Sequence, residues 1–176
     1  MKNNFIKTVQ KMVAVTAIGP SALRNQGKGI LQKAQKYCSL IDLNIYSSFI
    51  NEKDFISQLD KETQNMLKSF GLKKRPWGTA RKALNLFLRD ALYNKYLSQE
   101  YKLDNIIRFL EIPLDSVVTS ALKKRSKRGE LPQWPGLKSL NGNISEKYQQ
   151  FALNEASKEE LERIHLDMFL WLENRK

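Results

Sequence analysis

Apolar residues recur every three or four positions along almost the whole chain. Nowhere do they alternate singly over a run long enough for a strand, so the pattern predicts an all-α protein. The first helix runs from Phe5 to about Ile18, with Phe5, Val9, Met12 and Val13 on one face, and Gly19-Pro20 stops it. Ser21 to Asn25 starts a turn that Gly27 and Gly29 interrupt, and helix resumes from Ile30 to Leu40. Short segments follow at Ile45 to Ile50 and Asp54 to Leu59. Asp60 then reads as the N-cap of a helix over Lys61 to Ser69, which Gly71 ends. The longest predicted helix spans Trp77 to Leu97, with Ala80, Leu84, Phe87, Leu88, Ala91 and Leu92 at helical spacing.

A shorter helix over Leu103 to Leu110 must end before Pro113, and Asp115 is placed to cap the next, Ser116 to about Lys124. The loop from Gly129 to Gly142 holds Trp134 between two prolines; packing, gating and nucleic-acid contact are all open roles for it. Ser145 is expected to cap Glu146 to Ala156, and a final helix is expected from about Lys158 to Glu173. No segment repeats, and helices this uneven do not make a simple four-helix bundle. The expectation is one all-helical domain over residues 1–176, its terminal and middle helices sharing a core with a cleft between them.

Composition narrows the function. Hydrophobic residues make up 41 %, enough for a core, and Lys plus Arg exceed Asp plus Glu by 30 to 18, a net charge of +12. Such a balance favours a polyanionic partner. The single Cys38 excludes an internal disulfide and Cys-rich metal sites, and the single His165 argues against a His-based zinc site. His165 itself reads as a packed, hydrogen-bonded residue. No apolar run reaches the roughly 18–20 residues of a membrane span. Lys2, Lys7 and Lys11 before the apolar stretch Met12 to Ile18 have the outline of a weak signal peptide, but the one-sided pattern favours an amphipathic helix and a cytoplasmic protein.

The charge is segregated. Residues 1–41 carry seven basic residues and no acid, and residues 63–89 carry seven more, Lys68, Lys73, Lys74, Arg75, Arg81, Lys82 and Arg89, again with none. A third cluster, Lys123, Lys124, Arg125, Lys127 and Arg128, closes one helix. The turn Lys73-Lys74-Arg75-Pro76-Trp77-Gly78 opens a helix whose free N–H groups can hold a phosphate. Lys82 follows one helical turn after Thr79, and 33 residues beyond it Ile112-Pro113-Leu114-Asp115 places a carboxylate at a helix start, which favours its ionised form.

A basic turn, a lysine early in the following helix, and a Pro-x-Asp opening a later one together resemble the helix-hairpin-helix DNA glycosylases. The long Lys82-to-Asp115 interval is most similar to the archaeal 8-oxoguanine DNA glycosylase (AGOG) branch. Two further stretches fit: His165-Leu166-Asp167-Met168-Phe169-Leu170-Trp171 resembles a C-terminal segment whose Asp and Trp line the base pocket, and Leu23-Arg24-Asn25-Gln26-Gly27 resembles the segment of a base-reading Gln. The turn Arg75-Pro76-Trp77-Gly78 departs from the glycine-rich form usual in that superfamily.

The resemblance implies a helix-hairpin-helix glycosylase fold, and excision of an oxidised purine followed by strand cleavage at the sugar. Lys82 would be the nucleophile and Asp115 the essential carboxylate, with Gln26, Asp167 and Trp171 reading the flipped base. Lys73, Lys74, Arg75, Trp77, Gly78, Arg81, Lys123, Lys124, Arg125, Lys127 and Arg128 would contact DNA. Neither metal nor cofactor is expected, the partner is damaged or modified DNA rather than a membrane, and the protein would act as a monomer. Arg81 and Arg89 would supply like charge that helps the Lys82 amine lose its proton. Two alternatives remain at this level: a glycosylase for another modified base, and a non-catalytic DNA-binding protein that keeps only the basic surface.

Overall fold

In the computed structural model, which describes residues 2–72 and 76–173, the elements are helical throughout and no strand occurs among these residues. In chain order they are α1 (Lys2–Ala17), α2 (Ile30–Leu40), a 3₁₀ turn (Leu43–Ser48), α3 (Glu52–Phe70), α4 (Trp77–Tyr93), α5 (Lys95–Tyr101), a second 3₁₀ turn (Leu103–Phe109), α6 (Ser116–Arg125), α7 (Gly142–Lys158) and α8 (Arg163–Glu173). Among the described residues no helix is long and apolar enough to cross a membrane.

Helix α4 is the axis. Every residue from Gly78 to Leu88 is buried, with Ala91 and Leu92 beyond them. Helices α1, α2, α3 and α5 pack around it. Their apolar faces form a first core that includes Phe55, Leu59, Phe70, Leu84 and Phe87. A second core joins Ile112 and Leu114 to Val118 and Leu122 of α6, Tyr148 and Ala152 of α7, and Leu166 and Leu170 of α8. Helix α8 touches both, since its Ile164 belongs to the first core. Half-buried Trp77 also packs against both.

Four expected boundaries move. Asp60 caps nothing: α3 runs unbroken through it, because Phe55, Leu59, Met66 and Phe70 keep one buried face and Asn51 provides the cap, its side chain accepting from the Asp54 N–H at 2.9 Å. Asn94 ends α4 three residues before the expected Leu97 and caps α5, accepting from Tyr96 and Leu97 N–H at 3.2 Å each. Asn141, not Ser145, caps α7, so Ser145 lies inside that helix and is buried. The final helix starts at Arg163 instead of Lys158, after a break at Glu160, whose φ of 54° is left-handed.

The 126–141 segment packs. Leu131 and Leu140 enter the second core, Trp134 meets Tyr148 edge-on at 6.0 Å, and the Tyr148 hydroxyl donates to Pro132 O at 2.7 Å. Gly78 is where this segment touches α4. A Cβ there would stand 2.6 Å from both Leu137 O and Leu140 Cβ. Gly78 is therefore a close-packing residue, buried against that segment. Gly78→Ala is expected to destabilise the protein by about 1–3 kcal/mol through overpacking, read as a lower midpoint in chemical denaturation.

Candidate active site

The amine of Lys82 needs partners because its side chain is only 7 % exposed, and an unpaired buried ammonium is costly. It has two. Nζ donates to Ala22 O and to Asp115 Oδ2, each at 2.9 Å. Ala22 sits in the turn after α1, held by its own N–H to Gly19 O at 3.0 Å. Three distant stretches thus converge on one nitrogen.

Asp115 divides its carboxylate. Oδ1 caps α6, accepting from Val117 and Val118 N–H at 2.9 Å each, and Oδ2 receives Lys82. The segment that delivers it is fixed from behind. Ile112 and Leu114 are buried in the second core, and Gln149 of α7 clamps Ile112, accepting its N–H at 3.0 Å and donating to its carbonyl at 2.8 Å. The Asp115 side chain is 26 % exposed, so the pair meets solvent through the carboxylate rather than the amine.

Gln26 lies one turn away along α4. Its Oε1 accepts from the Thr79 hydroxyl at 2.6 Å, and its Nε2 donates to Arg24 O at 3.2 Å. This docks the 22–26 turn onto the helix that carries Lys82. Asp167 also comes to this region: it is buried, accepts from Arg89 Nη1, and is near enough to feel the charges of Asp115 and Lys82. Burial raises its carboxyl above the ordinary range, and Arg89 opposes but does not cancel that rise. Trp171, one turn further along α8, is 41 % exposed. The expected Asp and Trp therefore share a helix face in sequence but differ in burial.

Arg89 is the residue that sequence reasoning undervalued. The expectation made it only a source of like charge near Lys82, yet Asp90 Oδ1 takes its Nε at 2.7 Å and Asp167 takes its Nη1. The available signal was its place two turns after Lys82, on the same side of α4.

Arg81 is almost wholly buried and borders the cleft beside Asp60 and Trp77. It is buried between α3 and α4, paired in a fork with Glu111 at 2.8 and 3.0 Å, with Asp60 at 2.8 Å and with Thr63 at 3.1 Å. These partners hold its Nε, Nη1 and Nη2. Burial would depress the guanidinium, but Glu111 and Asp60 outweigh it and the net shift is upward. The Arg81 group also lies over the Trp77 ring at 5.1 Å, and Trp77 packs at the joint between the two cores while lining the same cleft.

Lys123, Lys124, Lys127 and Arg128 are exposed or partly exposed at the far end of α6, about 15 Å from Asp115 along the helix rise. Arg125 is half-buried and pairs with Glu173, with Glu155 at 3.9 Å. Lys73, Lys74 and Arg75 lie outside the described residues. His165 stacks on Tyr93 with centroids 5.7 Å apart, its Nδ1 at 2.8 Å from the Tyr93 hydroxyl.

Two clefts of about 770 and 490 Å³ indent the surface elsewhere, one beside Lys7, Lys11 and Lys36 and the other beside Asp60, Trp77 and Asn143; Lys82 and Asp115 line neither. Among the described residues no three His, Cys, Asp or Glu side chains gather as a metal-ligand cluster. The chemistry available here is that of an amine held against a fixed carboxylate, with a second, buried carboxylate nearby. No protein family, curated protein or solved structure was found to match this chain.

Proposed function

We propose that the protein is a DNA glycosylase with lyase activity, acting on an oxidised purine of the 8-oxoguanine type. The observation that carries this reading is the 2.9 Å contact between Lys82 Nζ and Asp115 Oδ2, made across 33 residues of sequence. A lysine amine paired with a partly exposed carboxylate supplies the two groups that attack on a sugar carbon uses, a nucleophile and a counter-charge.

The target nucleotide leaves the duplex first, at a cost of a few kcal/mol. As the bond from C1′ to the base breaks, positive charge builds on the sugar, and the Asp115 carboxylate offsets it. The departing base carries the bond electrons and then takes up a proton. Lys82, having passed a proton to Asp115 Oδ2 or to water, forms the C1′–N bond. Ring opening gives an iminium, loss of a C2′ proton follows, and the 3′ phosphate leaves. Asp167 accepts an N–H of the base, Gln26 offers its amide, and Trp171 provides a stacking face worth roughly 1–3 kcal/mol.

Sodium borohydride added to the protein with duplex DNA carrying 8-oxoguanine should leave a covalent protein–DNA adduct. Lys82→Gln should leave none. An adduct from Lys82→Gln as abundant as that of the parent would reject Lys82 as the nucleophile.

The exposed end of α6 gives the DNA partner its own test. Replacing Lys123, Lys127 and Arg128 together by glutamate should weaken duplex binding and flatten its dependence on salt. The slope of log K against log salt should fall by about 0.9 for each phosphate that the variant no longer neutralises. An unchanged slope would remove this cluster from the DNA-binding surface.

A further inference from the structure

The Arg89 guanidinium is held on two sides, by Asp90 at Nε and by Asp167 at Nη1, while its Nη2 and Asp167 Oδ1 make no hydrogen bond among the described residues. Asp167 is 6 % exposed. We propose that Arg89 is a positioning residue for the base pocket: it keeps Asp167 an anion, so that the free oxygen accepts a hydrogen bond from a base N–H and does not donate one. The proposal rests on the glycosylase reading for its ligand, and on the Arg89–Asp167 contact for its physics.

A carboxyl group has opposite hydrogen-bond polarity in its two states: ionised it only accepts, protonated it donates. A buried carboxylate without a cation tends to the protonated form, and burial already raises this one. The groups facing Asp167 are Arg89, Lys82 and Tyr93 from α4 and Asp115 from the start of α6, with Asp90 behind Arg89. On its own helix, His165 is turned to Tyr93. Lys82 is matched by Asp115 at 2.9 Å, which leaves Arg89 as the cation in direct contact. Arg89 thus decides which edge of a base the pocket accepts: one that presents an N–H to Asp167 and not a bare ring nitrogen or carbonyl.

The test reads Asp167 directly. In protein labelled with ¹³C at the aspartate carboxyl carbons, with Asp167→Asn used to assign the signal, the Asp167 midpoint in Arg89→Gln should rise by about one pH unit or more. Arg89→Lys, which restores the charge, should bring it back near the parent. Asp90→Asn, a change at a partly exposed site that leaves Arg89 in place, should lower the midpoint, because it removes a competing carboxylate. Release of 8-oxoguanine by Arg89→Gln should lose its activity on the acid side over the same displaced interval. An Asp167 midpoint that stays put in Arg89→Gln, or rises in Asp90→Asn, would overturn the proposal. The titration needs no substrate, so it stands apart from the borohydride experiment, whose failure would reject the glycosylase reading and leave the Arg89–Asp167 linkage measured.

Discussion

Asp115→Asn is expected to slow base release by about 10²–10³-fold, the usual cost of removing one preorganised group that stabilises transition-state charge. The effect should be selective. Asparagine keeps an oxygen for the Val117 and Val118 N–H groups, so α6 retains its start. What disappears is the negative charge that the proposed mechanism sets beside the sugar. A duplex carrying a preformed abasic site already exposes an aldehyde and passes through no such cation, so its trapping by borohydride should fall far less than base release. Asp115→Ala removes the cap as well and should cost about a further 1 kcal/mol of stability. Single-turnover base release and trapping, measured side by side, check this. Equal losses in the two assays would mean that Asp115 does no more than hold Lys82 in place.

The largest stability effect is expected at Glu111. Removing it by Glu111→Ala leaves the buried Arg81 guanidinium with Asp60, which is 56 % exposed, as its one paired carboxylate among the described residues, and a broken buried pair typically costs about 3–5 kcal/mol. For a chain of this size that is a Tm lower by roughly 6–20 °C. Burial raises the Glu111 carboxyl, but Arg81, with Asn85 and Arg163, outweighs burial and holds it below the ordinary range. Its folded-state value is therefore depressed. The stabilisation is complete above the ordinary glutamate value of about 4.3 and is lost as pH falls through the depressed one. Melting curves from neutral to acidic pH should show this loss in the parent and not in Glu111→Ala. Joint replacement by Arg81→Met and Glu111→Leu should recover most of the stability, since an apolar pair of similar volume needs no charge compensation.

How far the sequence reached depends on whether a residue's partner was local. Asp115 was legible as a cap because the N–H groups it serves are two and three residues away. Helices α1, α2 and α6 were legible for the same reason, their stops and apolar faces being written nearby. The pairing of Asp60 with Arg81 was not legible. An aspartate in a helical stretch reads as a cap and an arginine on a helix reads as a surface charge, until each is the other's partner across 21 residues. The Arg89–Asp167 pair spans 78 residues, and nothing in the periodicity of either helix announces it. Gly78 looked like a turn glycine because the segment that crowds it lies about sixty residues on. The meeting of Lys82 with Asp115 was anticipated through the resemblance, not through spacing, which by itself allowed the two to be no more than an exposed lysine and a cap.

Lys82 stands on a helix of the first core, and Asp115 on the segment that opens the second. In a nascent or partly unfolded chain the amine therefore has no carboxylate beside it, and the proposed chemistry would be assembled only once both halves have folded and met. On the proposed function, catalysis would then sense its own scaffold, because loosening of either half is expected to separate the two groups before the helices themselves melt. Activity should fade, on heating, ahead of the loss of helical signal.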